Sequence, residues 1–317
     1  MFRSFPLYYG TWLNYLFSEQ YRYFVSHISP PNTDHKRKNP DQSLIMLTAD
    51  FQFIMFLLHS YDLTKRFALT ALKLRYRNSV LGFFWSVLSP LFIMIVLSIV
   101  FIHFFPDRFD VRVPYPVFLI VGLLMWRFFT YGTTSGLHSV TNSAHIIRKV
   151  YFPREILPLS AVITALVTAI LEFAVFFVLI LFSSFFFDLG EFSFGPTAVI
   201  FIYFLFVEFI LVLGLSLLLS SVYVLFRDIS HIWEVVVFAG FFATPIFYPL
   251  SIIPYRYERF LHLNPLSDII TGSREVLVYG TIPGIKVFIC PLAGSLFILL
   301  LGITTFRLLE KRIAKEV

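Results

Sequence analysis

Three ionisable residues lie near the middle of long apolar segments: Arg127, Glu172 and Glu208. A charged side chain at the centre of a bilayer costs at least about 2.5–3.5 kcal/mol on insertion scales, so such a residue is paired or has a function. The three residues lie at similar depths, and an ion pair between Arg127 and Glu172 on successive segments is the first expectation. Lining of a conduit and a step in a proton relay remain the alternatives.

Motifs for nucleotide hydrolysis or group transfer are missing from the sequence. A phosphate-binding loop needs glycines followed by a lysine, and no glycine in the chain precedes a lysine. There is no Asp-x-Asp motif, no histidine cluster and no His-x4-Asp motif, which disfavours a membrane-embedded glycosyl- or acyltransferase. The single cysteine, Cys290, excludes an internal disulfide and a cysteine-based zinc site. We therefore predict no catalytic residue, no metal and no cofactor bound by this chain.

Long apolar runs must position these charged residues. Hydrophobic residues make up 58% of the chain and charged residues 14%, whereas soluble domains carry about 25% charged residues. A helix needs about 20 apolar residues to cross a bilayer. Only helices and closed barrels can form all of their backbone hydrogen bonds within the hydrocarbon core. We predict an all-α membrane protein with about six transmembrane helices, at residues 84–105, 117–137, 159–182, 197–222, 232–250 and 287–305.

Lysine and arginine residues are unevenly distributed between the two sides of this arrangement. Positive charge marks the cytoplasmic side, so we predict a multi-pass protein of the cytoplasmic membrane with both termini cytoplasmic. The net charge of +6 is assigned to membrane orientation and not to nucleic-acid binding. Thirteen cations lie on the predicted inner side: Lys65, Arg66, Lys73, Arg75, Arg77, Arg148, Lys149, Arg154, Arg227, Arg307, Lys311, Arg312 and Lys315. Six lie on the outer side: Arg108, Arg112, Arg256, Arg259, Arg274 and Lys286.

The chain divides into an N-terminal extension of uncertain, partly interfacial character at 1–60, an amphipathic helix at 61–82 and a transmembrane domain at 83–317. The pattern of 61–82 predicts a helix that lies flat on the inner leaflet and leads into the first span. The helix either anchors the chain to the membrane or helps to hold a cytoplasmic partner. Its candidate contact residues are Lys73, Arg75, Tyr76 and Arg77.

The loop at 138–158 combines apolar and basic residues in a short span of sequence. Asn142 or Ser143 could cap a short helix, and Pro153 would end it because proline does not continue a helix interior. We predict a short amphipathic rod parallel to the membrane, although an ordinary basic loop would carry the same charges. The candidate residues are Asn142, Ile146, Arg148, Lys149, Tyr151, Phe152, Pro153, Arg154 and Glu155.

The segment 245–286 contains four prolines within its first 21 residues. Broken backbone at membrane depth is tolerated only where it packs on protein or faces water. We therefore predict short re-entrant helices in the outer leaflet before the last span, with an ordinary external loop as the alternative. The candidate outer-gate residues are Phe247, Tyr248, Tyr255 and Tyr257.

Several stretches resemble the membrane subunit of ABC-2 transporters that export polysaccharides such as O-antigen, capsule and teichoic acid. The resemblance runs from about residue 61 to the C-terminus, and the stretch around VYFPREILPLS is its most specific part. The matching stretches are LKLRYRNSVLGFFWSVLSPLF at 72–92, IIRKVYFPREILPLS at 146–160, RDISHIWE at 227–234, PIFYPLSIIP at 245–254 and LNPLSDII at 263–270.

The resemblance implies how such a chain would work. Two copies pair around a conduit, each docks a cytoplasmic ABC ATPase subunit that binds ATP and Mg²⁺, and a lipid-linked glycan passes outward. The loop matching 142–157 is the ATPase-coupling element. Apart from the resemblance, the flat rings of Phe247, Tyr248, Tyr255 and Tyr257 are candidates for a sugar path, with packing between helices or against lipid as the alternative. Export of another amphiphile, such as a drug or lipid, is the alternative. A secondary transporter is disfavoured because it would normally show an internal repeat with paired broken helices.

Overall fold

A computed structural model describes residues 62–75, 84–104, 114–149, 152–183, 195–254, 256 and 261–316. These residues belong to one unit, Phe56–Val317. All regular structure in the described part of the chain is helical, which confirms the predicted all-α membrane fold. The predictions for 1–60 lie outside the described residues, as do those for Tyr76, Arg77, Tyr151, Tyr255 and Tyr257.

Nine helices in the described residues are labelled in chain order. The first, α1, covers 62–75, the described part of the predicted amphipathic helix. The others are α2 (Phe84–Phe104), α3 (Tyr115–Asn142), α4 (Ala144–Ile147), α5 (Ile156–Ser183), α6 (Phe201–Leu225), α7 (Ile229–Ala243), α8 (Pro265–Leu277) and α9 (Ile285–Glu316). Two 3-10 turns lie at Pro196–Ile200, before α6, and at Leu250–Ile252.

Five of the described helices are long and apolar enough to cross a membrane: α2, α3, α5, α6 with its preceding turn, and α9. They correspond to the first four predicted spans and the last one. The helix α3 begins directly after Pro114 and has a proline in its first turn, where a missing N–H removes no helical hydrogen bond. The helix α9 continues to Glu316, well past the predicted end of its span at residue 305.

The helix α7 is shorter than the predicted span 232–250. It ends at Ala243 because Thr244 adopts an extended conformation (φ −92°, ψ 142°), the conformation favoured before a proline such as Pro245. Its 15 residues measure about 22 Å, less than the about 30 Å of a hydrocarbon core. The prediction of six spans therefore stays a prediction.

Residues 244–248 form a bend, called the outer bend, that continues the path of α7 along α3. Near its start, α7 donates a hydrogen bond from Trp233 Nε1 to Thr133 of α3 (3.2 Å). The outer bend accepts one at the carbonyl of Phe247 from Tyr115 (2.7 Å). The stretch of α3 from Thr133 to Tyr115 is about 27 Å long at about 1.5 Å per residue. The helix α7 and the outer bend thus follow α3 over most of this length.

The centre of the bundle is α3, which is buried over most of its length. Small residues allow close helix packing, as in other membrane bundles. Gly132 and Gly136 of α3 lie against Val212 and Ser216 of α6. In contrast, α2 and α7 expose most of their apolar side chains.

The helix α8 inserts among the spans and forms an antiparallel pair with α9. Pro265 at its start lies against Gly294 of α9, whereas Gly272 lies against Val287, which is nearer the start of α9. Gly272 also lies against Phe204 of α6. The helix α8 therefore runs antiparallel to the first part of α9, and the re-entrant placement of this segment stays a prediction.

Candidate functional site

Arg127 of α3 and Glu172 of α5 form a two-pronged ion pair. The distances are 3.1 Å from Nη2 to Oε1 and 3.4 Å from Nε to Oε2. The Glu172 side chain is 4% exposed and the Arg127 side chain 26%. A planar guanidinium matches a carboxylate in this geometry and holds two helices in a defined register. The pairing expected from depth is present.

The same guanidinium also joins α2 to the pair. Arg127 donates from Nη1 to Ser89 Oγ (3.3 Å) and from Nη2 to the carbonyl of Ser86 (3.3 Å). Three spans therefore converge on Arg127. Sequence reasoning did not identify Ser86 or Ser89, because a serine in an apolar span carries no pattern that marks it as a partner.

Beside this ion pair lies a cavity of about 380 Å³, called the charged cavity. Its lining comes from Arg75 at the end of α1, from α3 between Trp126 and Thr134, and from α5 between Ala165 and Glu172. The Arg75 guanidinium lies 3.8 Å from the centre of the Tyr131 ring. Arg75 is therefore directed toward the spans, whereas Lys73 on the same helix is exposed.

Glu208 of α6 has a different environment from Glu172. Its side chain is completely buried, and neither carboxylate oxygen has a hydrogen-bond partner among the described residues. A buried polar group without a partner costs free energy. Glu208 and the Arg127–Glu172 pair do not form one three-residue network in this structure.

The predicted coupling loop contains a very short helix. Asn142 is the last residue of α3, and α4 covers only four residues, from Ala144 to Ile147. The helix therefore ends well before Pro153, and Ser143 precedes it without a side-chain cap. Arg148 and Lys149 follow as an exposed turn.

The far end of this loop is attached to two other helices. Arg154 Nη1 donates a hydrogen bond to the carbonyl of Glu310 on α9 (2.9 Å). The buried Phe152 ring lies 5.9 Å from the Phe67 ring of α1. Glu155 precedes α5 and is half-buried. The loop is thus held between α1 and the end of α9.

The near end of the loop packs on a separate apolar cluster. This α4-end cluster has a buried core from α3, α6 and α9: Val140, Leu217, Val224 and Phe306. Ala144 and Ile147 of α4 pack against it, while Ile146 is half-buried. The near end of the loop therefore contacts three spans.

At the opposite end of the bundle, Phe247 and Tyr248 belong to an aromatic cluster. The Phe247 ring lies 5.5 Å from that of Phe101 and 5.0 Å from that of Tyr248. Tyr248 donates to the carbonyls of Phe242 and Ala243 at the end of α7 (both 3.2 Å). Both candidate gate residues are therefore engaged within the chain.

Arg274 of α8 is the residue that sequence reasoning misplaced. It was counted among the cations of the outer segment, yet it is 3% exposed. It donates to the carbonyls of Phe118 on α3 (3.1 Å), Pro245 (2.6 Å) and Ile246. Its spacing from Ile270 is one helical turn, which places it on the apolar face of α8 and could have indicated burial.

The hydrogen bonds from Arg274 satisfy backbone carbonyl groups of the outer bend, which lie outside regular structure. Carbonyls outside regular structure must find donors when they are buried in a membrane protein. At the start of α8, His262 Nδ1 lies 2.5 Å from Asp268 Oδ1.

The fold and these contacts define a multi-pass helical membrane protein with charged side chains held inside the bundle. The profile of the ABC-2 type transporter family matches residues 64–278. This match covers more than half of the chain, and the chain belongs to that family.

Curated relatives agree with the family. An O-antigen export system permease protein RfbA of Klebsiella pneumoniae is 30% identical over 252 residues, which cover 77% of this chain and 90% of the relative. The RfbA protein of Myxococcus xanthus is 29% identical over 253 residues, 78% of this chain and 92% of the relative. The polysialic acid transport protein KpsM of Escherichia coli is 24% identical over 218 residues, 68% of this chain and 80% of the relative.

Proposed function

We propose that this chain is the permease subunit of an ABC transporter that exports a lipid-linked polysaccharide across the cytoplasmic membrane. The names of its relatives, O-antigen export permease and polysialic acid transport protein, support the polysaccharide as cargo. Two copies of the chain would pair and dock two ATPase subunits. The end of the bundle that carries α4 would face the cytoplasm, together with both termini.

The observation that carries the proposal is the attachment of the loop 142–157 to the spans. Its near end packs on the α4-end cluster, and Arg154 at its far end bonds to Glu310 of α9. Packed interfaces transmit rigid-body displacements because they do not deform continuously. A partner that pushes this loop would therefore move α3, α6 and α9 together.

The energy would come from the partner subunits. The chain has no glycine-lysine pair and hence no phosphate-binding loop of its own. ATP and Mg²⁺ would bind on the ATPase, and this chain would supply the path and the moving parts. On the opposite side, the outer bend with Phe247 and Tyr248 would act as an outer gate, because Arg274 and Tyr115 hold its backbone in one arrangement.

Replacement of Arg154 tests the coupling role. We expect Arg154→Ala to insert normally and to co-purify with the ATPase subunit, while ATP-driven export in vesicles falls about tenfold or more. The reason is that loss of one hydrogen bond to a charged donor removes about 1.5–3 kcal/mol. The matched control is Arg307→Ala, an exposed arginine on α9, which should export normally. Unchanged export by Arg154→Ala would contradict the coupling role of the loop.

A further inference from the structure

A side-chain hydrogen bond joins the place where α7 ends to the place where α8 begins. Thr244, the first residue of the outer bend, is completely buried. Its hydroxyl oxygen accepts a hydrogen bond from Nδ2 of Asn264 (3.1 Å), the residue that directly precedes α8. We call this hydrogen bond the outer latch. It connects the outer bend to a helix that lies 20 residues further along the chain.

Asn264 also caps α8, and this second task fixes the direction of its amide. The Oδ1 atom of Asn264 accepts a hydrogen bond from the backbone N–H of Leu266 (3.1 Å), which has no partner within the helix. An asparagine side chain can accept and donate at the same time. Because Oδ1 is held by α8, Nδ2 is directed at Thr244. The outer latch is therefore positioned by the start of α8.

The segment 261–264, called the connector, leads into α8 with few apolar contacts. Leu263 is 77% exposed, and His262 is exposed as well. The His262 ring reaches the buried carboxylate of Asp268 on α8 (2.5 Å). Segments with few buried apolar contacts open at a lower free energy than the core. Polar contacts of His262 and Asn264 therefore hold the connector on α8.

The other attachment of the outer bend to α8 is stronger than the latch. Arg274, near the end of α8, donates to the carbonyls of Pro245 and Ile246 and also to that of Phe118 on α3. Hydrogen bonds from a charged donor contribute about twice as much as those between neutral groups. If the outer bend and α8 move apart, the single neutral bond between Asn264 and Thr244 breaks before the contacts of Arg274.

We propose that Asn264 is a positioning residue of the outer gate, which holds Thr244 in the closed arrangement and releases it when the gate opens. Arg274 keeps its contacts during this opening and serves as the pivot. Thr244 is suited to be the hinge, because it lies outside helical structure (φ −92°, ψ 142°) and such residues absorb changes in φ and ψ. The inference rests on the proposed function, because only an exporter needs an exit that opens.

The first measurement uses the purified full-length chain in nanodiscs, without ATPase subunits. Hydrogen exchange, followed by mass spectrometry, reports the opening of the outer bend. Two of its amides are protected by hydrogen bonds, that of Thr244 to the carbonyl of Gly240 (2.9 Å) and that of Ile246 to the carbonyl of Thr244 (2.7 Å). We expect Thr244→Val, which keeps the shape but removes the acceptor, to accelerate their exchange about three- to tenfold. Exchange within α8 should stay unchanged.

Further variants assign this effect to the latch. Asn264→Ser keeps a capping side chain but is too short to reach Thr244, so it should accelerate the same amides to the same extent. The double variant should exchange no faster than either single variant, as expected for two residues that share one interaction. The matched control is Thr197→Val, which removes a hydrogen bond of equal length (3.1 Å) to the carbonyl of Val276 at the other end of α8. It should leave the outer bend unchanged.

The second measurement addresses release of the latch during transport. It compares exchange in the complex with the ATPase subunits, in the same nanodiscs, before and during hydrolysis of ATP with Mg²⁺. We expect hydrolysis to accelerate exchange of the Thr244 and Ile246 amides at least threefold in the unmodified chain. In Thr244→Val, where the latch is already absent, hydrolysis should add little. A residue that only supports the fold would show no such dependence on ATP.

Three outcomes would overturn the inference. Unchanged exchange in both Thr244→Val and Asn264→Ser would show that the latch does not hold the outer bend. Faster exchange along all of α8 would show that Arg274 is not a pivot. A complex that hydrolyses ATP without any change in the outer bend would show that the latch does not take part in gating. A chain that binds no ATPase would contradict the proposed function, and the first measurement would then decide on the latch alone.

Discussion

At the scale of single residues, the two buried glutamates of the bundle have opposite environments. Glu172 is bound through both carboxylate oxygens to Arg127, and that arginine extends the contact to α2. Glu208 is equally buried but has no hydrogen-bond partner among the described residues. The ion pair stabilises the buried carboxylate of Glu172, whereas burial of the Glu208 carboxyl without a partner lowers the stability of the fold.

Replacement of each glutamate by leucine should therefore have opposite effects on stability. We expect Glu208→Leu to raise the free energy of unfolding by about 1–3 kcal/mol, because it removes an unsatisfied buried group. Glu172→Leu should lower it by about 3 kcal/mol. This is the lower end for a broken buried pair, since Arg127 keeps 26% of its side chain exposed.

Thermal unfolding of both variants in the same detergent measures the difference. If the Glu208 carboxyl only destabilises the fold and has no role in transport, export by Glu208→Leu should be unimpaired. A destabilised Glu208→Leu protein, or a stable one that no longer exports, would instead show that Glu208 has a partner or a task.

At the scale of secondary-structure elements, the tightest helix contact joins α6 and α9. A Cβ atom at Gly214 would lie 2.6 Å from the backbone nitrogen and 2.7 Å from the Cα atom of Leu299. Backbone atoms cannot rotate away as a side chain can. The two helices touch here through their main chains, and α6 would have to separate from α9 to admit any side chain.

We expect Gly214→Ala to destabilise the protein, although alanine favours a helix. The propensity gain is about 1 kcal/mol, whereas forced overpacking costs about 3 kcal/mol, the upper end of its range, because backbone atoms cannot rotate away. A net loss of about 2 kcal/mol should therefore appear in thermal unfolding. The control is Gly284→Ala, because no atom lies within 4 Å of a Cβ at that position. A Gly214→Ala protein as stable as the Gly284→Ala protein would contradict the close contact.

Sequence patterns located most of the helices but did not predict where α4 and α7 end. Apolar runs identified α2, α3, α5, α6 and α9, because a span must be apolar over its whole length. The end of α7 at Ala243 had a local cause in Pro245, yet the apolar run continues to residue 250 and hid the break. The four-residue length of α4 depends on how the loop packs against α6 and α9, which no local pattern records.

At the scale of the whole molecule, the structure changes the charge argument for orientation. Arg274 is buried in contact with backbone carbonyls and does not belong to a loop. Its removal leaves thirteen cations on the predicted cytoplasmic side against five on the other. The asymmetry that orients membrane proteins therefore becomes stronger.

Accessibility of the two ends of α9 tests this orientation. The helix has 32 residues, about 48 Å at about 1.5 Å per residue, so its ends lie on opposite sides of a hydrocarbon core. In a Cys290→Ala background, we expect Lys286→Cys to react with a membrane-impermeant thiol reagent in right-side-out vesicles. Arg312→Cys should react only in inverted vesicles. Both positions are exposed, and the reverse pattern would overturn the predicted topology.

The sequence by itself indicated a membrane protein, its helical class and its family resemblance. A bilayer requires long apolar segments, and such segments are visible in the sequence without knowledge of the fold. The sequence also predicted the partner of Arg127, since an unpaired charge at that depth is too costly. The tertiary structure alone decided that Arg274 supports the outer bend, that Arg154 reaches Glu310 and that Arg75 enters the charged cavity. Those contacts join residues far apart in the chain, often through backbone carbonyls, and a carbonyl is the same at every position of the sequence.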